Sequence, residues 1–149
     1  MNAIRCLQIN LHHSKAATDV ALWRFINQNM DIMLVQEPWV FRNRIRGLPN
    51  STGKLYYHEG ELPPRAALYI KNHINVMPIS RFIQRDIAAV MIDANLPGGN
   101  IKVAIAATYH HEDDASPPEA VTSFISHCKK TNLQFVIGCD SNSHHTACV

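Results

Sequence analysis

The apolar residues of this chain fall in short runs whose spacing switches from strand-like to helical and back. Ile4 to Ile9 is a β-prone run that stops at Asn10. Ser14 stands where a helix N-cap belongs, ahead of Ala17, Ala21, Leu22, Phe25 and Ile26 at helical spacing. Asp31 to Gln36 is almost continuously apolar, the mark of a strand covered on both faces. Glu37-Pro38 ends it, because proline cannot continue a central ladder. Trp39 to Thr52 is a polar, arginine-containing loop, and shorter strands follow at Lys54–Tyr57, Ala66–Lys71 and Ile74–Ile79. Ile87–Ala94 and Ile101–Thr108 flank Leu96-Pro97-Gly98-Gly99-Asn100, which predicts an antiparallel hairpin. Ser116-Pro117-Pro118-Glu119 is a capping box with proline at the first helical position. The helix behind it places Ala120, Val121, Phe124, Ile125 and Cys128 on one face. A last strand, Leu133 to Ile137, runs into Gly138-Cys139-Asp140-Ser141-Asn142. Strands alternating with helices predict one α/β domain with a mixed sheet.

Composition narrows the class. A chain of 149 residues with 46% hydrophobic and 17% charged residues has the make-up of a globular domain and not of a disordered tail. No run reaches the roughly 18 apolar residues of a membrane span, and the first residues lack the basic-then-apolar pattern of a signal peptide. Cys6, Cys128, Cys139 and Cys148 form no CxxC pair, which favours a reduced, intracellular protein. The net charge of +2 is unevenly spread: residues 1–90 hold 11 Lys/Arg against 6 Asp/Glu, and the rest hold 3 against 6. Arg42-Asn43-Arg44-Ile45-Arg46 is the densest basic piece, either a solvated loop or a contact for a polyanion.

The candidate chemistry sits where strands end. Asn10, Glu37, Tyr109 and the pair Asp140/Asn142 each follow an apolar strand, and in α/β sheets ligands gather beyond the carboxyl ends of strands. Singly, each residue also suits an ordinary turn or strand. A carboxylate such as Glu37 beside a doubly buried strand needs hydrogen bonds, a shifted pKa or a cation. Glu37, Asp140 and Asn142 are hard oxygen donors suited to Mg²⁺, with water and phosphate completing its shell. Six of the nine histidines occur as the pairs His12/His13, His110/His111 and His144/His145, which could collect Zn²⁺ at one rim. Neighbours on an extended chain point apart, however, so each pair offers one ligand at most. Trp39, in the loop beside Glu37, is a further candidate for nucleic-acid contact.

Leu7-Gln8-Ile9-Asn10, Gln36-Glu37, Ala107-Thr108-Tyr109 and Gly138-Cys139-Asp140-Ser141-Asn142 occur in the order found in the endonuclease/exonuclease/phosphatase superfamily, which the chain resembles. Gln36-Glu37-Pro38-Trp39 and Asp140-Ser141-Asn142-Ser143-His144-His145 look like the endonuclease domain of arthropod non-LTR retrotransposon polyproteins. Ser14 to Asp19, Arg44 to Gly47 and Arg85-Asp86 are similar to that subgroup too.

The resemblance implies a four-layer, DNase-I-like α/β sandwich with mixed sheets, incomplete in residues 1–149, which would be the N-terminal part of one domain. It implies Mg²⁺ (Mn²⁺ as a substitute) at Glu37, with Asn10 helping to orient the metal site. Tyr109 would lie near the scissile phosphate, Asp140 would position or deprotonate the attacking water, and Asn142 would bind a phosphate oxygen. Arg42, Arg44, Arg46, Trp39 and His144 would contact DNA. His12 stands where many apurinic endonucleases have an aspartate, and the family's remaining strands and terminal Asp-His pair would lie beyond Val149. Asp140 and Asn142 would then occupy a loosened, almost terminal loop. The implied reaction is DNA nicking that leaves a 3′-hydroxyl to prime reverse transcription, in the nucleus, with a reverse transcriptase domain covalently linked in the parent element. The shortened chain itself is expected to be inactive. The rival expectations are a catalytically dead nucleic-acid-binding remnant and a same-fold phosphatase acting on a small phosphorylated molecule or lipid.

Overall fold

The computed structural model describes residues 3–111, 113 and 117–140. Two four-stranded sheets lie face to face with one helix on each outer surface. The first sheet has the order β1-β2-β6-β5, built from β1 (Cys6–Asn10), β2 (Ile32–Gln36), β5 (Gly53–Tyr56) and β6 (Ala66–Lys71). The second has the order β10-β9-β8-β7, built from β7 (Val76–Gln84), β8 (Ile87–Leu96), β9 (Gly99–Tyr109) and β10 (Gln134–Asp140). Each sheet is mixed, and for the same reason. Helix α1 (Lys15–Asn27) carries the chain from β1 to a parallel β2, and α2 (Glu119–Lys130) carries it from β9 to a parallel β10. The other pairings are antiparallel.

The period-2 alternation of strands sorts side chains into three apolar layers. Ile32 and Leu34 of β2 and Ala66, Leu68 and Ile70 of β6 face Ala88, Val90, Ile92, Ile105 and Ala107 between the sheets. Met33, Val35, Ala67 and Tyr69 face outward to Ala21 and Phe25 of α1. Ile87, Ala89, Ala104 and Ala106 face the other way, to Phe124 and Cys128 of α2. All five β2 residues are buried, as the continuous apolar run predicts.

Four expectations change in detail. The Trp39–Thr52 loop contains a small hairpin, β3 (Val40–Phe41) with β4 (Arg44–Ile45). The Ser14 hydroxyl caps α1 as expected, accepting from the Ala17 amide at 3.1 Å, but Thr18 is buried on the helix and Ile26 is exposed. The second helix begins at Glu119 with Pro118 as its cap residue and no side-chain cap bond; Ser116 lies outside the described residues. Asp140 closes a strand that is longer than its apolar stretch. Pairing with β9 carries β10 through Gly138 and Cys139 to an Asp140–Tyr109 register pair, so Asp140 is not in a loosened loop.

The sheets come together closely at Gly138. A β-carbon there would lie 2.7 Å from Leu34 Cδ2 and 3.1 Å from Leu34 Cβ, so only glycine lets β10 approach β2 this far. The Gly138 carbonyl accepts from the buried Gln36 amide at 3.2 Å across the same gap. Gly138→Ala should therefore destabilise the protein by about 1–3 kcal/mol, the usual result of overpacking. Urea unfolding checks this; an unchanged midpoint would show that Leu34 can yield.

Candidate active site

The alternation that builds the core also aims polar side chains. Leu7 and Ile9 of β1 face α1, so Gln8 and Asn10 face the second sheet. Leu34 and Gln36 share the inner face of β2, Ala107 and Tyr109 that of β9, and Gly138 and Asp140 that of β10. Four parallel-oriented strand ends, those of β1, β2, β9 and β10, thus meet at one end of the sandwich. Gln8 donates to the Cys139 carbonyl at 2.8 Å, and the Asn10 amide donates to Asp140 Oδ2. Asn10 Oδ1 accepts from the His12 amide at 2.8 Å, which fixes the direction of that side chain at both ends.

Glu37 reaches this cluster by leaving the strand geometry. A residue after Gln36 would point toward α1 if the strand continued. Its φ of +46° instead puts it in the left-handed region, uncommon for a residue with a long side chain. Two backbone bonds hold it there: its amide donates to the Arg65 carbonyl at 2.9 Å, and its carbonyl accepts from the His13 amide at 2.9 Å. The half-buried carboxylate, 20% exposed, lies 3.3 Å from His12 Nδ1 and near the Tyr109 phenol. Burial pushes the Tyr109 phenol above its ordinary pKa; the Glu37 charge and hydrogen bond add to this, Asp140 adds more, and Arg65 opposes it. At neutral pH Tyr109 is therefore a protonated hydrogen-bond donor.

One further pair sits behind the cluster. Arg65 is gripped by Asp86 through two bonds of 2.6 Å, and its guanidinium lies 4.8 Å from the Tyr109 ring centroid. The Arg65 carbonyl holds the Glu37 amide, and the Asp86 carbonyl accepts from the Tyr109 amide at 2.9 Å. The two residues thereby tie the Glu37 turn to the β9 end. Nothing in the local sequence singles out Arg65, because its role depends on a partner 21 positions away.

The expected site residues divide as follows. Asn10, Glu37, Tyr109 and Asp140 come together; Asn142 and His144 lie outside the described residues. Arg42, Arg44 and Arg46 lie on and beside the β3–β4 hairpin, which starts three residues after Glu37. Trp39 is half-buried at the hairpin base, packed on Gly47 with the Lys15 ammonium 5.8 Å from its ring centroid. Of the histidine pairs, His12 meets Glu37, whereas His13 turns to the Pro38 carbonyl at 3.0 Å. Among the described residues no group of three or more His, Cys, Asp or Glu side chains could hold a metal. The His144/His145 pair lies outside the described residues. Mg²⁺ keeps several waters and needs only one or two carboxylates beside substrate phosphate, a role that Glu37 and Asp140 could fill.

No protein-family model matches the chain, and no curated protein matches its sequence. Solved structures do share its architecture, and that architecture is the DNase-I-like fold. The endonuclease domain of TRAS1, a telomere-specific non-LTR retrotransposon, aligns with a TM-score of 0.73 at 21% identity, over 97% of this chain and 61% of that one. TDP2 from D. rerio, solved with a single-strand DNA product, aligns at 0.55 and 7% identity, over 95% of this chain and 62% of that one. An endonuclease/exonuclease/phosphatase family protein from Leptotrichia buccalis aligns at 0.55 and 13% identity, over 95% and 67%. The chain thus spans about 61% of the length of the TRAS1 domain it matches. No helix among the described residues is long and apolar enough to cross a membrane.

The Arg65–Asp86 pair gives a direct test of the site's support. Arg65→Ala and Asp86→Asn should each lower stability by about 1–3 kcal/mol, since each strands a charge-assisted bond. The double variant should lose less than the sum, as partners in one contact do. Strictly additive losses in urea unfolding would show that the pair is not coupled.

Proposed function

We propose that this chain supplies the metal-binding and water-activating part of a Mg²⁺-dependent endonuclease domain that nicks DNA, of the kind carried by non-LTR retrotransposons. The observation that carries the proposal is the convergence of Asn10, Glu37, Tyr109 and Asp140 at one end of a DNase-I-like sandwich. In this reading residues 1–149 are the first part of that domain, and a covalently linked reverse transcriptase and a nuclear location belong to the parent element.

The division of labour follows from the side chains. Glu37, assisted by Asn10, would hold Mg²⁺, which when bound neutralises charge on the phosphate. Asn10 fixes the Asp140 carboxylate through Oδ2, so that Asp140 can orient a water and accept its proton. Attack of that water on phosphorus would break the P–O3′ bond, leaving a 5′-phosphate and an O3′ that takes a proton from solvent to become the 3′-hydroxyl. The protonated Tyr109 would donate to a phosphate oxygen. Arg42 and Arg46, both exposed, would contact the backbone of the DNA, with Arg44 beside them.

Two measurements test this. In a protein extended to the length of the TRAS1 domain, Glu37→Gln should reduce Mg²⁺-dependent nicking of supercoiled plasmid by orders of magnitude, with the fold retained. Near-normal nicking at saturating Mg²⁺ would overturn the assignment. Replacing Arg42, Arg44 and Arg46 with alanine should weaken binding to unrelated DNA sequences alike and flatten its salt dependence. A salt slope equal to that of the unaltered protein would make the hairpin a solvated surface.

A further inference from the structure

The β3–β4 hairpin presents an aromatic side chain that the core does not use. Val40 and Ile45 form one cross-strand pair and turn inward, against the α1 layer. Phe41 and Arg44 form the next pair and turn outward. Phe41 is 55% exposed and belongs to none of the three apolar layers. An exposed phenylalanine is unremarkable when it is alone on a mobile loop, but this one is neither alone nor loosely held. Arg42 and Arg46 place their guanidinium carbons 5.2 and 5.8 Å from its ring centroid. The turn itself, Arg42-Asn43, has φ values of +51° and +60°, the paired left-handed geometry that matches the twist of a two-residue hairpin. Asn43 ties the tip to the neighbouring segment by donating to the Glu61 carbonyl at 2.8 Å, and the Arg46 amide donates to the Trp39 carbonyl at 2.9 Å.

We infer that Phe41, flanked by Arg42 and Arg46, is a stacking platform for an unpaired nucleobase in the nucleic acid that the site takes. The inference rests on the nucleic-acid reading above and narrows its substrate to DNA that offers an unstacked base beside the cut. A base inside a duplex has both faces covered by its neighbours; only an unpaired one can lie on a side-chain ring. A phenyl ring gives that face sequence-tolerant stacking, and the guanidinium groups at its edge meet the phosphates on either side. Phe41 is four residues from Glu37, so even a fully extended chain keeps their α-carbons within about 14 Å. That is within a few nucleotides of a phosphate held at Glu37. Trp39, the aromatic favoured by sequence, is only partly exposed, with Gly47 beside its ring.

The test is metal-free binding by fluorescence anisotropy, comparing a fully paired duplex with the same duplex carrying one unpaired 2-aminopurine. The wild-type chain should prefer the second by about tenfold, the order expected for one base–aromatic stack, and should quench the 2-aminopurine. Phe41→Ala should abolish both the preference and the quenching while leaving paired-duplex affinity and its salt slope unchanged; Phe41→Trp should retain both. Arg42→Ala with Arg46→Ala should weaken both duplexes and flatten the slope. Equal discrimination by the wild type and Phe41→Ala would overturn the platform and leave the nucleic-acid reading standing. A wild-type chain that binds neither duplex would overturn the nucleic-acid reading, and the platform with it.

Discussion

The close approach of β10 to β2 at Gly138 is the contact on which the site depends. The two sheets have separate outer layers and could pack at the usual separation of about 10 Å between sheets. At the carboxyl end of β10, however, there is no β-carbon to hold them apart from Leu34, and Gln36 bonds directly to the Gly138 carbonyl. Two residues further along the same faces, Asp140 comes within hydrogen-bonding distance of Asn10. A side chain at 138 would act on this geometry as a wedge, moving donors and acceptors that belong to different sheets.

Strain at the same end has a counterpart in the backbone. His12, His13 and Glu37 all have φ between +46° and +57°; the His12 amide donates to the Asn10 side chain, and main-chain bonds tie His13 to Glu37 and Glu37 to Arg65. Such conformations persist only where the surroundings over-determine them. Here the surroundings are the Arg65–Asp86 pair, the Tyr109 ring that Arg65 covers, and the Pro38 carbonyl held by His13. The result is a carboxylate aimed into the gap between the sheets, next to a phenol that burial and charge keep protonated.

Much of this was legible in the residue pattern because the strands are covered on both faces. Doubly buried stretches must be apolar, so β2, β6, the first half of β8 and the second half of β9 announce themselves, and the polar residues that end β2 and β9 stand out. The hairpin at Val40 to Ile45 was hidden for the opposite reason: its outward face is Phe41 and Arg44, and four strand residues carry too little periodicity to register. The β10 extension through Gly138 to Asp140 was hidden as well. Glycine and aspartate are poor strand formers, and only pairing with β9 makes them one.

By itself, then, the sequence determined the alternation of strands and helices, the burial of β2, and the candidacy of Asn10, Glu37, Tyr109 and Asp140, since each property follows from residue type and local spacing. Tertiary structure alone decided that two parallel crossovers bring four strand ends to one edge, that Arg65 and Asp86 clamp the site, and that Phe41 turns outward on the hairpin beside Arg42 and Arg46. These depend on contacts between residues far apart in the chain: 130 positions for Asn10 and Asp140, 102 for Gln36 and Gly138. No local pattern encodes such a separation; it is set when the two sheets close on one another.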